Sequence, residues 1–202
     1  LSIRRQRQMC IRDRYGLKRV AYTTYQAVSG SGVKGKRDLA EGANGKEPEA
    51  YPYPIYNNVL PHIDVFLENG YTKEEQKMID ETKKILNDQD LKVTATCVRV
   101  PVQDSHSIEI DVTLNQDTTV KEIQELFAHD QRVVLVDNPS KNEYPLAIHS
   151  TGKDEVFVGR IRRDDSLENT FHVWCTSDNL LKGAALNAVQ VLEQILTLKG
   201  AR

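Results

Sequence analysis

The stretch VTATCVRVPVQDSHSIEIDVTL, residues 93–114, decides the fold class. Residues 93–102 are rich in β-branched side chains and predict one strand, and residues 107–114 predict a second. In the second strand apolar and polar residues alternate, which indicates a sheet with one covered and one solvated face. Only residues 103–106 separate the two strands, so they either form a hairpin or are held apart by another strand.

Two helices carry a recognisable start signal. Thr72 and Glu75 form a Thr-x-x-Glu capping box, and Thr119 and Glu122 form another. Apolar residues at helical spacing follow the first box. We therefore predict helices over residues 72–88 and 119–129.

The remaining segments predict a few more elements. Residues 18–28 indicate a strand, the glycine-rich residues 29–49 a long loop, and residues 51–64 an irregular connection that packs on the domain surface or against another subunit. Three further strands and a closing helix are predicted at residues 133–136, 156–161, 170–175 and 178–198. Because the helices are too few to cover both faces of a parallel sheet, we expect an α+β domain with a mixed, largely antiparallel sheet and helices packed on it.

The charge is unevenly distributed along the 202 residues. Residues 1–14 carry five arginines and one aspartate, which gives +4, whereas residues 15–202 carry −6. The first fourteen residues are interpreted as a non-native or disordered basic tail, and residues 15–202 as the domain. A nucleic-acid-binding arm is the alternative reading of this tail, but the acidic body favours no nucleic-acid partner.

The cysteine pattern and the hydropathy exclude several classes. Cys10, Cys97 and Cys175 are far apart, and the chain has no Cys-x-x-Cys pair, so neither a metal site nor a disulfide framework is expected. This usage fits a reducing, cytoplasmic compartment. No apolar run approaches the roughly 20 residues that span a bilayer, so no membrane partner is expected.

Arg99 and His106 are the first candidates for chemistry. Arg99 lies inside an apolar strand, where a cation is costly unless it is paired or opens onto a cleft. Arginine binds carboxylates through a two-pronged fork, and histidine can transfer a proton near neutral pH. The two residues therefore suggest a site for an acidic substrate. The alternative is a strand arginine paired with a nearby carboxylate, and a solvated turn histidine.

Three more polar residues lie at places that could serve a site. Glu74 and Lys77 are three residues apart in the first turns of a helix and could hold a zwitterionic substrate, or form an ordinary ion pair. Gln26 ends a strand just before the Ser-Gly-Ser-Gly segment at 29–32, which is interpreted as a loop rather than as a nucleotide-binding fingerprint.

Five blocks, taken together, resemble a known enzyme family. They are YGLKRVAYTTYQAVSGSG (15–32), YPYPIYNNVLPHID (51–64), GYTKEEQKMIDETKKIL (70–86), TCVRVPVQDSHS (96–107) and FHVWCTSDNLLKGAALNAVQ (171–190). In this order they resemble the aspartate-β-semialdehyde dehydrogenases, particularly the bacterial branch. The resemblance covers essentially everything after residue 14.

The resemblance implies a fold, a reaction and residue roles. The fold would be like the C-terminal domain of glyceraldehyde-3-phosphate dehydrogenase, in a homodimer. The family reduces L-aspartyl-4-phosphate to L-aspartate-4-semialdehyde with NADPH, or runs in reverse with phosphate, in lysine, threonine and methionine biosynthesis. His106 would be the catalytic acid or base, and Gln26 would orient the substrate. Arg99, Glu74 and Lys77 would bind the α-carboxylate, the amino group and the phosphate, and Asn179 would contact the nicotinamide of NADP.

The chain also departs from the family pattern. The family's Asn-Cys-Ser/Thr nucleophile precedes the Tyr-Gly-Leu block, where this chain has the arginine-rich tail, and Cys10 does not match that motif. The nucleotide-binding domain has no counterpart here. We therefore expect a fragment that is inactive alone, with the helix at 178–198 lacking its packing partner. The rival readings are an N-acetyl-glutamyl-phosphate reductase-like enzyme and a non-catalytic dimerisation domain.

Overall fold

A six-stranded mixed sheet forms the centre of the computed structural model, which describes residues 11–12, 14–130 and 133–182. The strands are β1 (Leu17–Gln26), β2 (Lys92–Arg99), β3 (His106–Leu114), β4 (Val133–Leu135), β5 (Val156–Arg163) and β6 (Thr170–Ser177). Across the sheet their order is β2-β1-β3-β6-β5-β4, and β1–β2 and β4–β5 are parallel while the other neighbours are antiparallel. The predicted α+β class with a mixed, largely antiparallel sheet is confirmed.

The strands β2 and β3 are not a hairpin. Although they follow each other in the chain, both pair with β1, which lies between them. The strand β1 is rich in β-branched and aromatic residues, and Val20 and Thr24 are buried, as a strand with neighbours on both sides requires. Of the two arrangements that the sequence allowed, the structure therefore has the one in which another strand separates β2 from β3.

Two helices cover one face of the sheet and form the main core with it. Between residues 14 and 182 the α-helical elements with described bounds are α1 (Gly32–Gly42), α2 (Lys73–Leu86), α3 (Val120–Ala128) and the single turn α4 (Ala147–Ser150). Both predicted capping boxes are present, at the starts of α2 and α3. The core includes Leu86 of α2, Ile123 of α3 and Phe171 of β6, all at most 4% exposed. Burial of these side chains is the main stabilising contribution.

The prediction of a long loop at 29–49 is wrong, because residues 32–42 form α1. Its glycines lower helix propensity, yet tertiary contacts override this. A Cβ on Gly35 would lie 2.5 Å from the carbonyl oxygen of Val28, so glycine is needed for close packing and not for a loop. The carboxylate of Asp38 accepts hydrogen bonds from the amides of Glu49 and Ala50, which closes the following turn onto the helix.

The irregular segment 51–64 packs onto the molecule as predicted. Ile55 and Leu60 form a second, small core with Val28, and Leu60 pairs through its backbone with Arg99 at the outer edge of β2. This bridge occupies the end of an edge strand that would otherwise be open. Among the helices in the described part of the chain, none has the length and apolar content to cross a bilayer.

The two ends of the chain are described only in part. Of the basic tail, Ile11 packs against the main core and the carbonyl of Arg12 accepts a hydrogen bond from Gly16. The predicted closing helix, 178–198, lies outside the described residues beyond residue 182. At its start the carboxylate of Asp178 accepts hydrogen bonds from the amides of Leu180 and Leu181, at 2.8 and 3.1 Å, as a helix cap does. The boundary at residue 14 and the packing of this helix stay predictions.

Candidate functional site

Four strands of the sheet have one terminus on the same side of the domain. Gln26 and Arg99 are register partners at the carboxyl ends of the parallel strands β1 and β2. The strand β3 runs antiparallel to β1, so His106, its first residue, lies beside the carboxyl end of β1. His106 is in turn the register partner of Ser177 at the end of β6, so Asn179 follows close by. The topology thus gathers residues from three distant parts of the sequence.

Arg99 is a buried cation with incomplete pairing. Arg99 is 6% exposed, and its Nη1 donates a hydrogen bond to the carbonyl oxygen of Ala27 at 2.7 Å. Its guanidinium carbon lies 5.9 Å from the centre of the Tyr51 ring. Burial lowers the pKa of Arg99, and Tyr51 and Glu74 oppose this. Among the described residues no carboxylate forms an ion pair with it, and its buried Nε has no hydrogen-bond partner.

His106 is held as a neutral imidazole. Its Nδ1 accepts a hydrogen bond from the amide of Ala27 at 3.1 Å. Because a backbone amide can only donate, the proton of the neutral ring is on Nε2 in this arrangement. Burial, and then the positive charge of Arg99, lower the pKa of His106 to about 4, against the effects of the Ser105 backbone and of Asp178. The ring can therefore offer an N–H donor at neutral pH.

Gly30 leaves the space between these two side chains open. A Cβ at this position would lie 3.0 Å from Nη1 of Arg99 and 3.7 Å from both Cε1 and Nε2 of His106. The guanidinium and the imidazole therefore converge beside Gly30. The absence of a side chain there lets a ligand approach both groups and the backbone.

Asn179 connects two loops of the site. Its Oδ1 accepts hydrogen bonds from the hydroxyl of Ser29 at 3.1 Å and from the amide of Ser105 at 3.0 Å. Its Nδ2 also lies 3.0 Å from the Ser29 hydroxyl oxygen. The loop after β1 and the turn before β3 are therefore joined through one amide side chain.

The start of α2 is fixed to the sheet by Glu75, which the sequence analysis considered only as a cap. Its Oε2 accepts the amide of Thr72 at 2.7 Å, and its Oε1 accepts the amide of Cys97 on the outer edge of β2 at 2.9 Å. This places the neighbouring Glu74 within electrostatic range of Arg99. Lys77 lies 3.4 Å from the Glu74 carboxylate and is more than half exposed, so these two form the ordinary ion pair that the sequence also allowed.

Neither described cysteine has the properties of a nucleophile. Burial raises the pKa of Cys97 to about 11 and that of Cys175 to about 12. Both thiols are therefore protonated at neutral pH, whereas the reactive species is the thiolate. Both cysteines lie within strands, in environments that suit a structural rather than a reactive role.

Two other features of the described residues lie away from these strand ends. An apolar cavity of about 310 Å³ between the sheet and the helices α2 and α3 is lined by none of the candidate residues. On the face of the sheet opposite α2 and α3, Asp111, Asp164 and His172 come close enough to hold a metal ion. However, Arg19 pairs with Asp111 at 3.0 Å, and Glu109 contacts His172 at 2.6 Å, so these groups already have protein partners.

Comparison with known proteins identifies the family of the chain. The family model described as "Semialdehyde dehydrogenase, dimerisation domain" matches residues 10–182. The chain belongs to this family.

Several named relatives support this membership. The aspartate-semialdehyde dehydrogenase of Aquifex aeolicus (strain VF5) is 47% identical over 92% of the chain and 57% of its own length. That of Bacillus subtilis (strain 168) is 46% identical over 93% of the chain and 58% of its length. The solved structure of aspartate semialdehyde dehydrogenase II from Vibrio cholerae, complexed with ASA, matches with a TM-score of 0.87 and 37% identity over 93% of the chain and 57% of that protein. The chain thus spans little more than half the length of these relatives.

In this semialdehyde dehydrogenase domain, the structure brings together Gln26, Arg99, His106 and Asn179, and places Glu74 near them. It gives Lys77 no described contact besides Glu74. The solvated-histidine alternative does not fit His106, whose ring is largely buried, and no described carboxylate supports the paired-arginine alternative.

Sequence reasoning missed several residues of the site. Gly30, Ser29 and Ser105 were not singled out. The only available signal was GSGVKG at 30–35, which does have the G-x-G-x-x-G spacing of a dinucleotide fingerprint, between β1 and α1. However, the fingerprint requires a βαβ unit of about 30 residues. The parallel partner of β1 begins only at Lys92, so this context is absent.

Proposed function

We propose that this chain is the substrate-binding and dimerisation part of an aspartate-semialdehyde dehydrogenase. The complete enzyme would reduce L-aspartyl-4-phosphate to L-aspartate-4-semialdehyde with NADPH, or run in reverse with phosphate. The nucleophilic thiol would come from outside the described residues, because neither Cys97 nor Cys175 has a suitable environment. The compartment we propose is the cytoplasm.

The observation that carries the proposal is the buried guanidinium of Arg99. A buried cation without a counter-ion is costly, and an unpaired buried donor adds to that cost. Among the described residues Arg99 has neither a carboxylate partner nor an acceptor at Nε. The carboxylate of an amino-acid substrate would supply both. The adjacent open space beside Gly30 gives it a place to bind.

The other residues would then act around this anchor. The Nε2–H of His106 would donate to the oxygen of the reacting carbonyl group and stabilise the developing charge, as a preorganised donor does. Gln26, beside Arg99 in register, would orient the substrate. Glu74 would bind the substrate ammonium group, and Lys77 would bind phosphate, which requires it to leave its ion pair with Glu74.

Of the candidate residues, only Asn179 offers a hydrogen-bonding group for a nicotinamide. The Oδ1 of Asn179 is occupied by Ser29 and Ser105, and one Nδ2 hydrogen is left for a ligand. We propose that this N–H of Asn179 contacts the nicotinamide of NADP. When bound, that ring supplies the hydride for the reaction. An aspartate semialdehyde dehydrogenase structure from Candida albicans is described as containing NADP.

The homodimer is proposed to form through the face of the sheet opposite α2 and α3. This face carries the aromatic pair Tyr25 and Trp174, with ring centres 5.3 Å apart, beside polar and charged side chains. Aromatic residues on a solvated face are typical of protein interfaces. A Tyr25→Glu variant should sediment as a monomer where the unmodified chain sediments as a dimer, and an unchanged dimer would place the interface elsewhere.

A ligand titration tests the substrate site and its rival. In NMR spectra of the ¹⁵N-labelled chain, L-aspartate, which shares the α-amino acid head of the substrate, should shift the Nε–H signal of Arg99. N-acetyl-L-glutamate at equal concentration should not, because its amino group is blocked. Arg99→Gln assigns this signal, because it removes the Nε–H group itself, and Arg162→Gln, a change at an exposed arginine of β5, should leave the response intact.

Each outcome of this titration has a defined meaning. A stronger response to N-acetyl-L-glutamate would favour the N-acetyl-glutamyl-phosphate reductase-like reading. No response of Arg99 to either compound would favour a non-catalytic dimerisation domain. In a separate assay, the 202-residue chain should not oxidise NADPH in the presence of L-aspartyl-4-phosphate, and cysteine-dependent turnover by it would contradict the proposal that the thiol lies elsewhere.

A further inference from the structure

We propose that Thr151 is a positioning residue for His106, and that it acts through Ser105. The importance of this link rests on the catalytic role proposed for His106, but the link itself is a matter of structure. Thr151 lies 45 positions further along the chain and was not singled out by the sequence.

Ser105, the residue directly before His106, has an unfavourable backbone conformation. Its φ is +72°, in the left-handed region, and the residue is 1% exposed. For a residue with a side chain this conformation is unfavourable, so surrounding contacts must hold it. Two contacts do so. The amide donates to Asn179, and the hydroxyl lies 2.8 Å from the hydroxyl of Thr151.

The direction of the bond between the two hydroxyls follows from their other contacts. The Thr151 hydroxyl lies 3.0 Å from the carbonyl oxygen of Ala147, which can only accept. The single proton of Thr151 is therefore used there, and the Ser105 hydroxyl donates to Thr151. The next amide, of Gly152, donates to the Asp178 carboxylate at 2.8 Å. Thr151 thus accepts the hydrogen bond of Ser105, and it is held by its own bond to Ala147 and by the bond of the next residue to Asp178.

This anchoring sets the direction in which the imidazole points. The Nδ1 atom of His106 is bound to the Ala27 amide, and the ring lies close enough to Arg99 and Asp178 for both charges to act on it. If Ser105 left the left-handed conformation, the first residue of β3 would rotate. The bond between Nδ1 of His106 and the Ala27 amide would then be lost, together with the preference for a proton on Nε2.

The test compares two threonine-to-valine variants of nearly equal shape and chemistry. Thr151→Val removes the anchor. Thr170→Val is the matched control, because its hydroxyl contacts the carbonyl of Glu168 and the hydroxyl of Thr113, both at 3.0 Å, far from His106 at the other end of β3. The readout is the long-range ¹H–¹⁵N spectrum of the imidazoles over a pH series, with the His106 signals assigned by a His106→Gln variant.

The unmodified chain should show His106 as one tautomer, protonated on Nε2. Thr151→Val should give a mixture of tautomers and raise the midpoint of its titration by about one pH unit or more, as the ring becomes more solvated. Ser105→Ala should have the same effect, and the double variant should add nothing further, because both changes remove one hydrogen bond. Thr170→Val should leave the His106 signals unchanged.

Unchanged His106 signals in Thr151→Val would overturn the proposal, and so would equal shifts in Thr151→Val and Thr170→Val, which would indicate general loosening. These spectra are recorded without substrate. If they change as expected while L-aspartate fails to shift Arg99, the positioning link stands and the proposed function falls. The opposite pair of results would leave the substrate site intact and remove the role of Thr151.

Discussion

The lowered pKa of His106 should make the stability of the chain depend on pH in the acidic range. The pKa is about 4 in the folded protein, against an ordinary value of 6.5. As the pH falls below 6.5, the unfolded chain binds a proton that the folded chain does not accept. The folded state is therefore disfavoured progressively until the pH reaches the folded pKa. The stabilisation is complete only above pH 6.5.

The size of the effect follows from the two pKa values. Linkage gives a loss of about 2 kcal/mol in the free energy of unfolding between pH 7 and pH 5, and about 3 kcal/mol by pH 4. Other groups also titrate in this range, so the quantity to compare is the difference between the unmodified chain and His106→Gln. Urea unfolding at pH 7 and pH 5, followed by circular dichroism, measures it.

The controls separate the causes of the pKa shift. The unmodified chain should lose about 2 kcal/mol more than His106→Gln between the two pH values. Arg99→Met should reduce this excess without abolishing it, because burial is the largest cause and Arg99 the second. An equal loss in the unmodified chain and in His106→Gln would refute the reasoning, since it would mean that His106 titrates alike in both states.

Three further substitutions test the space beside Gly30 and the contacts at the starts of α2 and α3. Gly30→Ala should weaken the response of Arg99 to L-aspartate at least tenfold in the NMR titration, because the new methyl group would lie about 3.0 Å from its Nη1; an unaltered response would mean that the space beside Gly30 is not used. Glu75→Ala should cost about 3 kcal/mol in urea unfolding, because two buried amides lose their acceptor, whereas Glu81→Ala, at an exposed position of α2, should change little. Equal losses would show that the bond to β2 is unimportant. Thr119→Ala should cost about 1 kcal/mol by the same assay, as removal of a helix cap does, and no change would mean that α3 does not depend on its cap.

Local rules were sufficient for part of the fold. The helices α2 and α3 were predictable because their capping boxes and apolar spacing lie within a few residues of each other. The helix α1 was not, because the contacts that require Gly35 and use Asp38 come from residues 28 and 49–51. Local propensity carries no information about such partners.

The site was predictable only as separate residues. The sequence indicated that Arg99 and His106 suit an anionic substrate, but the spacing alone could not bring Gln26 beside Arg99. That proximity comes from the parallel register of β1 and β2. The contribution of Gly30 was equally hidden, because it consists of the space that its missing side chain leaves. Resemblance to a family supplied the roles that spacing could not.

The central position of β1 has a consequence for the way the chain folds. The strands β2 and β3 are joined by residues 100–105 only, and because they flank β1 in opposite senses they are antiparallel to each other. Closing such a short connection costs little chain entropy, so a direct pairing of β2 with β3 is the quickest contact to form. The native sheet requires β1, which is separated from β2 by residues 27–91, to insert between them. We expect this insertion to be the slow step, and Arg99 and His106 to come into position only when it is complete.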